Sequence, residues 1–301
     1  MSSPYKTVAI VGASGSLGAP LLERLLKSDF VRIRVLKRAS SKSTFPANVE
    51  VVDVDFSSLD SITEALRGQD VLVSTITMEA LGDQIKYIDA AIAAGVKRFL
   101  PSEFGSNLEV PSVRRLPVYA TKVKVQDYLA QKAAEGLISY TSFYNNVFLD
   151  WGVEKSFLID RVNSSITFYD DGESEWSTTT LASVADGVVG VINHPTETHN
   201  RAVYVHNTVL TQKKLLEVAQ KADPARKWTI NHITIDEVIA KADASVAKGD
   251  FTLEVAYAYL ARAVYDPASE AKFTKLDNKL LGVKEFSDEE VFEVVKASLL
   301  K

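Results

Sequence analysis

The sequence predicts an α/β protein in which helices cover both faces of a parallel sheet, and three observations support this fold class. Apolar runs of strand length alternate with segments of helix length through the first half of the 301 residues. The first run, residues 7–11, leads into regularly spaced glycines and then an apolar helix pattern. After about residue 150 short strands give way to a mostly helical segment. We therefore expect a Rossmann-type, doubly wound parallel sheet with a smaller C-terminal α+β substrate lobe.

The first half supplies the expected parallel sheet. Strands are predicted at 7–11, 32–36, 49–54, 71–75, 96–100 and 137–143, and helices at 19–27, 59–66, 81–94 and 115–134. Repeated strand–helix units of this length place ligands at the carboxyl ends of the strands. This half, residues 1–150, is the expected nucleotide-binding domain.

The second half, residues 151–301, is the expected substrate-binding lobe. Residues 166–169 and 175–179 flank Asp170-Asp171-Gly172, which predicts a β-hairpin with the acidic pair in its turn. Further elements are predicted at 181–192, 202–206, 212–222, 251–265 and 287–299. No Gly/Ser-rich linker separates the halves, so we expect close packing, either as two units or as one continuous domain.

The turn after the first strand has the composition of a dinucleotide site. Glycine lets the backbone bend sharply and approach a pyrophosphate, and the positive end of the next helix faces that charge. A loop that only turns the chain is the alternative, and it explains the glycine spacing poorly. The residues expected to hold the pyrophosphate are Gly12, Ser14, Gly15, Ser16, Leu17 and Gly18.

The end of the second predicted strand favours NADP(H) over NAD. An NAD site normally has an Asp or Glu about 20 residues beyond the glycines, to bind the ribose 2′-hydroxyl. This chain instead has Lys37 and Arg38, followed by Ser40, Ser41 and Lys42. Cations and hydroxyls suit a 2′-phosphate, which the Arg38 guanidinium is able to bind through two hydrogen bonds. A solvated basic loop is the alternative.

Composition excludes several other classes of function. The net charge of −5 predicts no attraction to nucleic acid or to an anionic membrane. The chain has no cysteine, which excludes disulfides and thiolate chemistry and fits a cytoplasmic protein. No apolar signal segment opens the sequence, and no run approaches the roughly 18 apolar residues of a membrane span. The four histidines lack the spacing of metal ligands. We expect a small-molecule substrate, no metal, and a monomer or homodimer.

The residues that carry chemistry follow the fifth predicted strand. The loop 101–105 should face the nicotinamide, and the next helix places Tyr119 and Lys122 on one face. A partly buried lysine there is able to bind ribose hydroxyls or to transfer a proton, and a surface lysine is the alternative. Tyr128 and Lys132 have the Tyr-x-x-x-Lys spacing of short-chain dehydrogenases, but they lie roughly 15 Å farther along the helix. We expect them on the helix surface and in the core.

Two aromatic residues follow the sixth predicted strand. Phe148 and Trp151 are candidates for the wall of an apolar or aromatic substrate pocket, with ordinary core packing as an equal alternative.

These motifs together resemble the NmrA-like group of atypical short-chain dehydrogenases, in its isoflavone reductase and phenylcoumaran benzylic ether reductase branch. The resemblance covers about residues 6–220, and its most specific part is the string from Gly95 to Gly105. The other matching positions are the three glycines of the first turn, Arg38, Tyr119 to Lys122, Tyr140-Thr141, Asn146, Phe148, Asp171-Gly172, Pro195 and residues 200–203.

The resemblance implies a reductase that binds NADPH and transfers hydride to a phenolic or enone-like substrate, with Lys122 as general acid/base. It also implies that Arg38 and Lys42 bind the 2′-phosphate. The remaining positions that it places along the cofactor are Thr75, Ile76, Thr77, Ser102, Phe104 and Asn146, with Lys122 also in contact.

The group also contains regulators that bind a dinucleotide without chemistry and signal to a protein partner. A redox-sensing regulator that binds NADP(H) is therefore the alternative, and the presence of Lys122 favours the enzyme. The segment between Gly105 and Tyr119 and the region after 230 do not match the plant reductases closely. The resemblance thus implies no particular substrate.

Overall fold

The computed structural model describes residues 4–29 and 32–301. The expectation that no apolar signal opens the sequence rests partly on residues 1–3, which lie outside the described residues. The described chain forms one seven-stranded sheet with helices on both faces, together with two small sheets.

The strands are β1 (Thr7–Val11), β2 (Arg32–Lys37), β3 (Glu50–Asp53), β4 (Val71–Ser74), β5 (Arg98–Leu100), β6 (Ser139–Tyr144), β7 (Val147–Phe148), β8 (Ser165–Tyr169), β9 (Trp176–Thr179), β10 (Arg201–Tyr204), β11 (Thr208–Leu210) and β12 (Thr229–Ile233). The helices are α1 (Gly18–Leu26), α2 (Leu59–Leu66), α3 (Gln84–Ala94), α4 (Pro111–Arg114), α5 (Ala120–Ala134), α6 (Leu149–Glu154), α7 (Leu181–Asn193), α8 (Gln212–Ala222), α9 (Ile235–Val246), α10 (Leu253–Tyr265), α11 (Asn278–Leu281) and α12 (Asp288–Leu299). Single 3-10 helices span Met78–Asp83, Pro117–Tyr119 and Pro267–Ser269.

The seven-stranded sheet is parallel throughout and has the order β3-β2-β1-β4-β5-β6-β10. This confirms the predicted doubly wound Rossmann-type sheet. The strand order reverses between β1 and β4, so a crevice opens beyond their carboxyl ends. Any ligand that binds along the sheet is expected to lie across this point.

Apolar side chains bury both faces of the sheet. Leu21 and Leu25 of α1 pack on one face with Val188 of α7, while Ile62 of α2 and Ile88 of α3 pack on the other. A separate core joins the C-terminal helices to the two small sheets. The second half of the chain therefore supplies α7 and β10 to the main sheet, and the division at residue 150 stays a prediction.

The predicted helix over 115–134 is wrong at its start. α5 begins at Ala120, and the residues before it form α4 and the 3-10 helix Pro117–Tyr119. Pro117 has no amide hydrogen and disfavours a helical conformation in the residue before it, and Leu116 is extended with φ −65° and ψ 133°. As a result Lys122 lies in the first turn of α5, next to the edge of the sheet.

The predicted hairpin around Asp170-Asp171-Gly172 is also wrong. β8 pairs in parallel with β12, whereas β9 lies between β7 and β11 in another sheet. β9 is buried along its whole length, but β8 is buried only at alternate residues. Asp170 and Asp171 do lie in a turn, and Asp170 has φ 54°. The strand after this turn does not pair with β8, because β9 is buried in the other small sheet.

A buried arginine links β5 and β6 of the main sheet to the segment that precedes β10. Arg98 of β5 is 1% exposed and donates hydrogen bonds to Ser139 Oγ and Thr141 Oγ1 of β6, at 2.7 and 2.8 Å. It also donates to the carbonyl oxygens of Pro195 and Thr198, which precede β10. Burial lowers the pKa of the guanidinium, and these hydrogen bonds offset the loss of hydration.

We expect Arg98→Met to lower the free energy of unfolding by about 3 kcal/mol, because several buried oxygens lose their donor. Urea denaturation followed by circular dichroism measures this loss. The neighbouring Lys97 is 61% exposed and pairs with Asp70, so Lys97→Met is the matched control. Its loss is expected to stay below about 1 kcal/mol. Equal losses in the two variants would contradict a special contribution from the buried guanidinium.

Candidate active site

The turn between β1 and α1 lies against the end of β4 with no room for side chains. Gly12 has φ +86°, and a Cβ atom there would lie 2.5 Å from the carbonyl oxygen of Thr75. A Cβ atom on Gly18 would lie 2.1 Å from the carbonyl oxygen of Gly12. Leu17 caps α1 without a side-chain hydrogen bond. The main chain at this helix N-terminus is therefore available to an anion.

A first cavity of about 420 Å³ extends from this turn to the end of β2. Arg38, Ser40 and Ser41 line its polar side. Lys37 also lines it, but its amine pairs with Asp53 at 2.6 Å. Arg38 has no ion pair within residues 4–29 and 32–301, so its charge is available to a ligand. The apolar members of the lining include Phe45, Phe56 and Tyr87.

A second cavity of about 380 Å³ opens on the other side of the same turn. Both cavities are lined by Gly15 and by residues 75–77, which follow β4. The two cavities therefore adjoin at these residues, and together they form a cleft at the carboxyl edge of the sheet, at the point where the strand order reverses. An elongated ligand with one phosphorylated end fits such a cleft.

Lys122 and Tyr119 bring polar chemistry into the second cavity. Lys122 Nζ donates a hydrogen bond to the main-chain oxygen of Glu103 at 2.5 Å, and burial lowers the pKa of the amine. Tyr119 Oη donates to Ser106 Oγ at 2.9 Å, and burial raises the pKa of this phenol. The lysine is therefore the group at this wall whose proton is more easily exchanged.

Ser102, Phe104 and Asn146 complete this end of the cleft. Ser102 Oγ donates to the carbonyl oxygen of Ile76 at 2.9 Å, which joins the loop after β5 to the segment after β4. Asn146 has φ 51° and donates from Nδ2 to the carbonyl oxygen of Ala271 at 2.9 Å. Its Oδ1 atom is buried and has no hydrogen-bond partner among the described residues. This oxygen is therefore free to accept a hydrogen bond from a ligand.

Aromatic residues from the second half form the outer wall of this cavity. The rings of Trp151 and Phe157 are 6.5 Å apart, and those of Phe157 and Tyr257 are 5.4 Å apart. Leu260 and Val264 of α10 extend the wall inward. The sequence analysis missed Phe157 and the α10 residues. The spacing of Tyr257, Leu260 and Val264 identifies one helix face, but it does not reveal which cavity that face borders.

Most of the predicted site residues line the cleft, and their individual roles remain predictions. The first cavity contains Gly12, Ser14, Gly15, Arg38, Thr75, Ile76 and Thr77, and the second contains Gly15, Ser16, Leu17, residues 75–77, Ser102, Phe104, Lys122 and Asn146. Gly18 begins α1 and lines neither cavity, and the exposed Lys42 is also outside both linings. Trp151 and Phe148 both line the second cavity.

The alternative Tyr-x-x-x-Lys pair lies away from the cleft. Tyr128 Oη donates to Asp89 at 2.5 Å, and Lys132 pairs with Glu135 at 2.9 Å.

Within the described residues no group of three His, Asp or Glu side chains is arranged to hold a metal ion. No helix in the same part of the chain is long and apolar enough to cross a membrane.

Comparison with known proteins agrees with this architecture. The chain is 33% identical over 293 residues to oxidoreductase poxI of Penicillium oxalicum, covering 93% of this chain and 90% of that protein. It is 34% identical over 151 residues to phenylcoumaran benzylic ether reductase TP7 of Nicotiana tabacum, covering 47% and 48%. The solved complex of leucoanthocyanidin reductase with NADPH from Vitis vinifera has the same fold, with a TM-score of 0.79, 20% identity and coverage of 98% and 100%.

The profile of the NmrA-like family matches residues 4–287. This match confirms the resemblance drawn from the glycine turn, Arg38 and the string from Gly95 to Gly105. It spans nearly the whole chain, and the protein therefore belongs to the NmrA-like family.

Proposed function

We propose that this protein is an NADPH-dependent reductase of a small phenolic, enone or carbonyl substrate, with Lys122 as the general acid/base. The observation that carries the proposal is the pair of adjoining cavities, one lined by an arginine and two serines and the other by a partly buried lysine. The enzyme class is oxidoreductase, and the cofactor is NADP(H). The glycine turn fits the cofactor, since Cβ atoms at Gly12 and Gly18 would collide with main-chain atoms of the turn and of Thr75, and their absence lets the turn pack tightly at the N-terminus of α1.

The two ends of the cleft have separate tasks. Arg38, Ser40 and Ser41 bind the 2′-phosphate, while the turn between β1 and α1 binds the pyrophosphate through its main-chain amides. Lys42 is exposed, and its contact with the 2′-phosphate remains a prediction. NADPH, when bound, supplies the hydride. The side chains of Ser102, Phe104 and Asn146 orient the nicotinamide end.

The aromatic wall supports an aromatic or otherwise flat substrate. Phe157 and Tyr257 line the second cavity and pack edge-to-face with each other, and aromatic side chains favour stacked or edge-to-face contacts with a flat ligand. Lys122 lines the same cavity and is able to give its proton to a substrate oxygen. Holding the substrate between the lysine and the cofactor lowers the barrier through orientation.

The regulator remains the alternative function. It predicts tight binding of NADP(H) without turnover, together with a protein partner. Lys122 disfavours it, because a buried amine at the cavity wall has no need to be there in a protein that only senses a dinucleotide. The monomeric or homodimeric state and a cytoplasmic location stay predictions.

Arg38→Ala tests the cofactor assignment. We expect the affinity for NADPH to fall by roughly 10- to 100-fold, because a hydrogen-bonded charge pair contributes about 1.5–3 kcal/mol. The affinity for NADH, which lacks the 2′-phosphate, should change little. Isothermal titration calorimetry measures both, and Arg67→Ala on the exposed end of α2 is the control. Equal losses for NADPH and NADH would contradict the assignment.

Lys122→Ala tests the chemistry. The oxidation of NADPH is followed by absorbance with a panel of quinones, enones and phenylpropanoid ethers. We expect turnover of any accepted substrate to fall by about 10²- to 10⁴-fold, while NADPH affinity is largely retained. Lys132→Ala on the same helix is the control and should keep wild-type turnover.

Two results would contradict the proposal, the first in its reductase activity and the second in the role of Lys122. Wild-type protein that binds NADP⁺ tightly but oxidises NADPH with no compound of the panel would favour the regulator. Unchanged turnover in Lys122→Ala would remove this lysine from the mechanism and leave the cofactor assignment standing.

A further inference from the structure

The most unusual buried group near the cleft is the side chain of Glu103. This residue follows β5 and is 1% exposed, and neither of its carboxylate oxygens has a hydrogen-bond partner among the described residues. Burial of a carboxylate without hydrogen bonds opposes folding by several kcal/mol in general. An apolar side chain of similar size would avoid this cost. We therefore expect the Glu103 carboxylate to contribute to function rather than to stability.

Glu103 already touches the proposed catalytic amine through its main chain. Its carbonyl oxygen accepts the hydrogen bond from Lys122 Nζ, so the amine is fixed at the cavity wall. No ion pair joins the Glu103 carboxylate to Lys122 in the described part of the chain, yet each charge acts on the other. Glu103 thus acts on Lys122 in two ways. Its main-chain oxygen accepts a hydrogen bond from the amine, and its carboxylate acts on the amine electrostatically.

The other polar groups around Glu103 are hydrogen-bonded to one another, and among them the Gln126 amide also helps to lower the pKa of the Glu103 carboxyl. Gln126 accepts from Arg114 Nη1 at 2.6 Å and donates to Tyr144 Oη at 2.9 Å. Tyr144 Oη donates in turn to the exposed Glu109 at 3.3 Å. The titratable and charged groups that face Glu103 are Lys122 of α5, Arg114 of α4, Glu109 before α4, Tyr119 of the 3-10 helix and Tyr144 of β6.

Among these groups, Lys122 is the cation that has no carboxylate ion pair in the described part of the chain. Arg114 has its own exposed carboxylate partner, Asp127, at 2.5 Å. Tyr119 and Tyr144 carry no charge, because burial raises the pKa of both phenols. Lys122 is therefore the group on which the Glu103 charge has the clearest effect.

We propose that Glu103 is a positioning residue for Lys122, whose carbonyl holds the amine at the cavity wall and whose carboxylate is the counter-charge that keeps the amine protonated. This proposal deepens the proposed function and rests on it only for the catalytic use of the proton. The directions of the two pKa shifts agree with this proposal. Burial raises the pKa of Glu103 to about 7 against the field of Lys122, and burial lowers the pKa of Lys122 against the field of Glu103.

The test measures the protonation of Lys122 without a substrate. Potassium cyanate reacts only with a neutral amine, and the second cavity gives this small reagent access. The extent of carbamoylation at Lys122, read by peptide mass spectrometry over a series of pH values, gives the midpoint of its titration. In Glu103→Gln the carbonyl is kept and the charge is lost. We expect the Lys122 midpoint to move down by about 1 pH unit.

The controls separate charge from shape. Glu103→Asp keeps a carboxylate and should have a midpoint close to that of the wild type, whereas Glu103→Met removes the charge and should match Glu103→Gln. Glu109→Gln removes an exposed carboxylate of the same cluster and should leave the midpoint unchanged. NADP⁺ affinity and the thermal midpoint report whether each variant is folded.

The outcomes are distinct. A lower Lys122 midpoint in Glu103→Gln and Glu103→Met, but not in Glu109→Gln, supports the proposal. An unchanged midpoint in both charge-removing variants overturns it, and failure of both to fold overturns it in favour of a purely structural carboxylate. Since labelling needs no turnover, a protein that proves inactive in every reductase assay still decides this question.

Discussion

The close approach of the β1–α1 turn to the end of β4 is the constraint on which the cleft depends. The main chain of Gly12 lies against Thr75 at a distance that excludes even one methyl group. Residues 75–77 line both cavities, so the position of this segment fixes where the phosphate-binding end meets the catalytic end. A larger residue at Gly12 would push β1 and β4 apart at the crossover point. Both halves of the proposed site would then move together.

The second constraint is desolvation. Lys122 and Glu103 are charged residues in a region from which the surrounding protein removes water, and each changes how readily the other gains or loses a proton. The aromatic wall contributed by Phe157 and Tyr257 closes the same region from the outer side. In such a setting a modest change of charge has a large effect on reactivity, because little solvent screens it.

Residue type and spacing were sufficient for the parts of the site that depend on the backbone. Gly12 and Gly15 of the first turn and the cationic end of β2 follow local rules, and they line the first cavity as expected, whereas Gly18 lines neither cavity. Lys42 shows the limit of such rules, since it is close in sequence to Arg38 but lies outside the lining. Sequence proximity does not settle on which side of a loop a long side chain lies.

The sequence by itself determined the doubly wound sheet and the position of the glycine turn, because these follow from periodicity and from residues with special backbone freedom. It also determined the family, through the resemblance of motifs such as the string from Gly95 to Gly105. Only the tertiary structure decided that α5 begins at Ala120, that β8 and β9 belong to different sheets, and that α10 closes the substrate cavity. It also decided that the carboxylate of Glu103 is buried without a hydrogen-bond partner among the described residues, while the carbonyl of the same residue binds the Lys122 amine. Burial and pairing arise from contacts between residues distant in the chain, which no local pattern encodes.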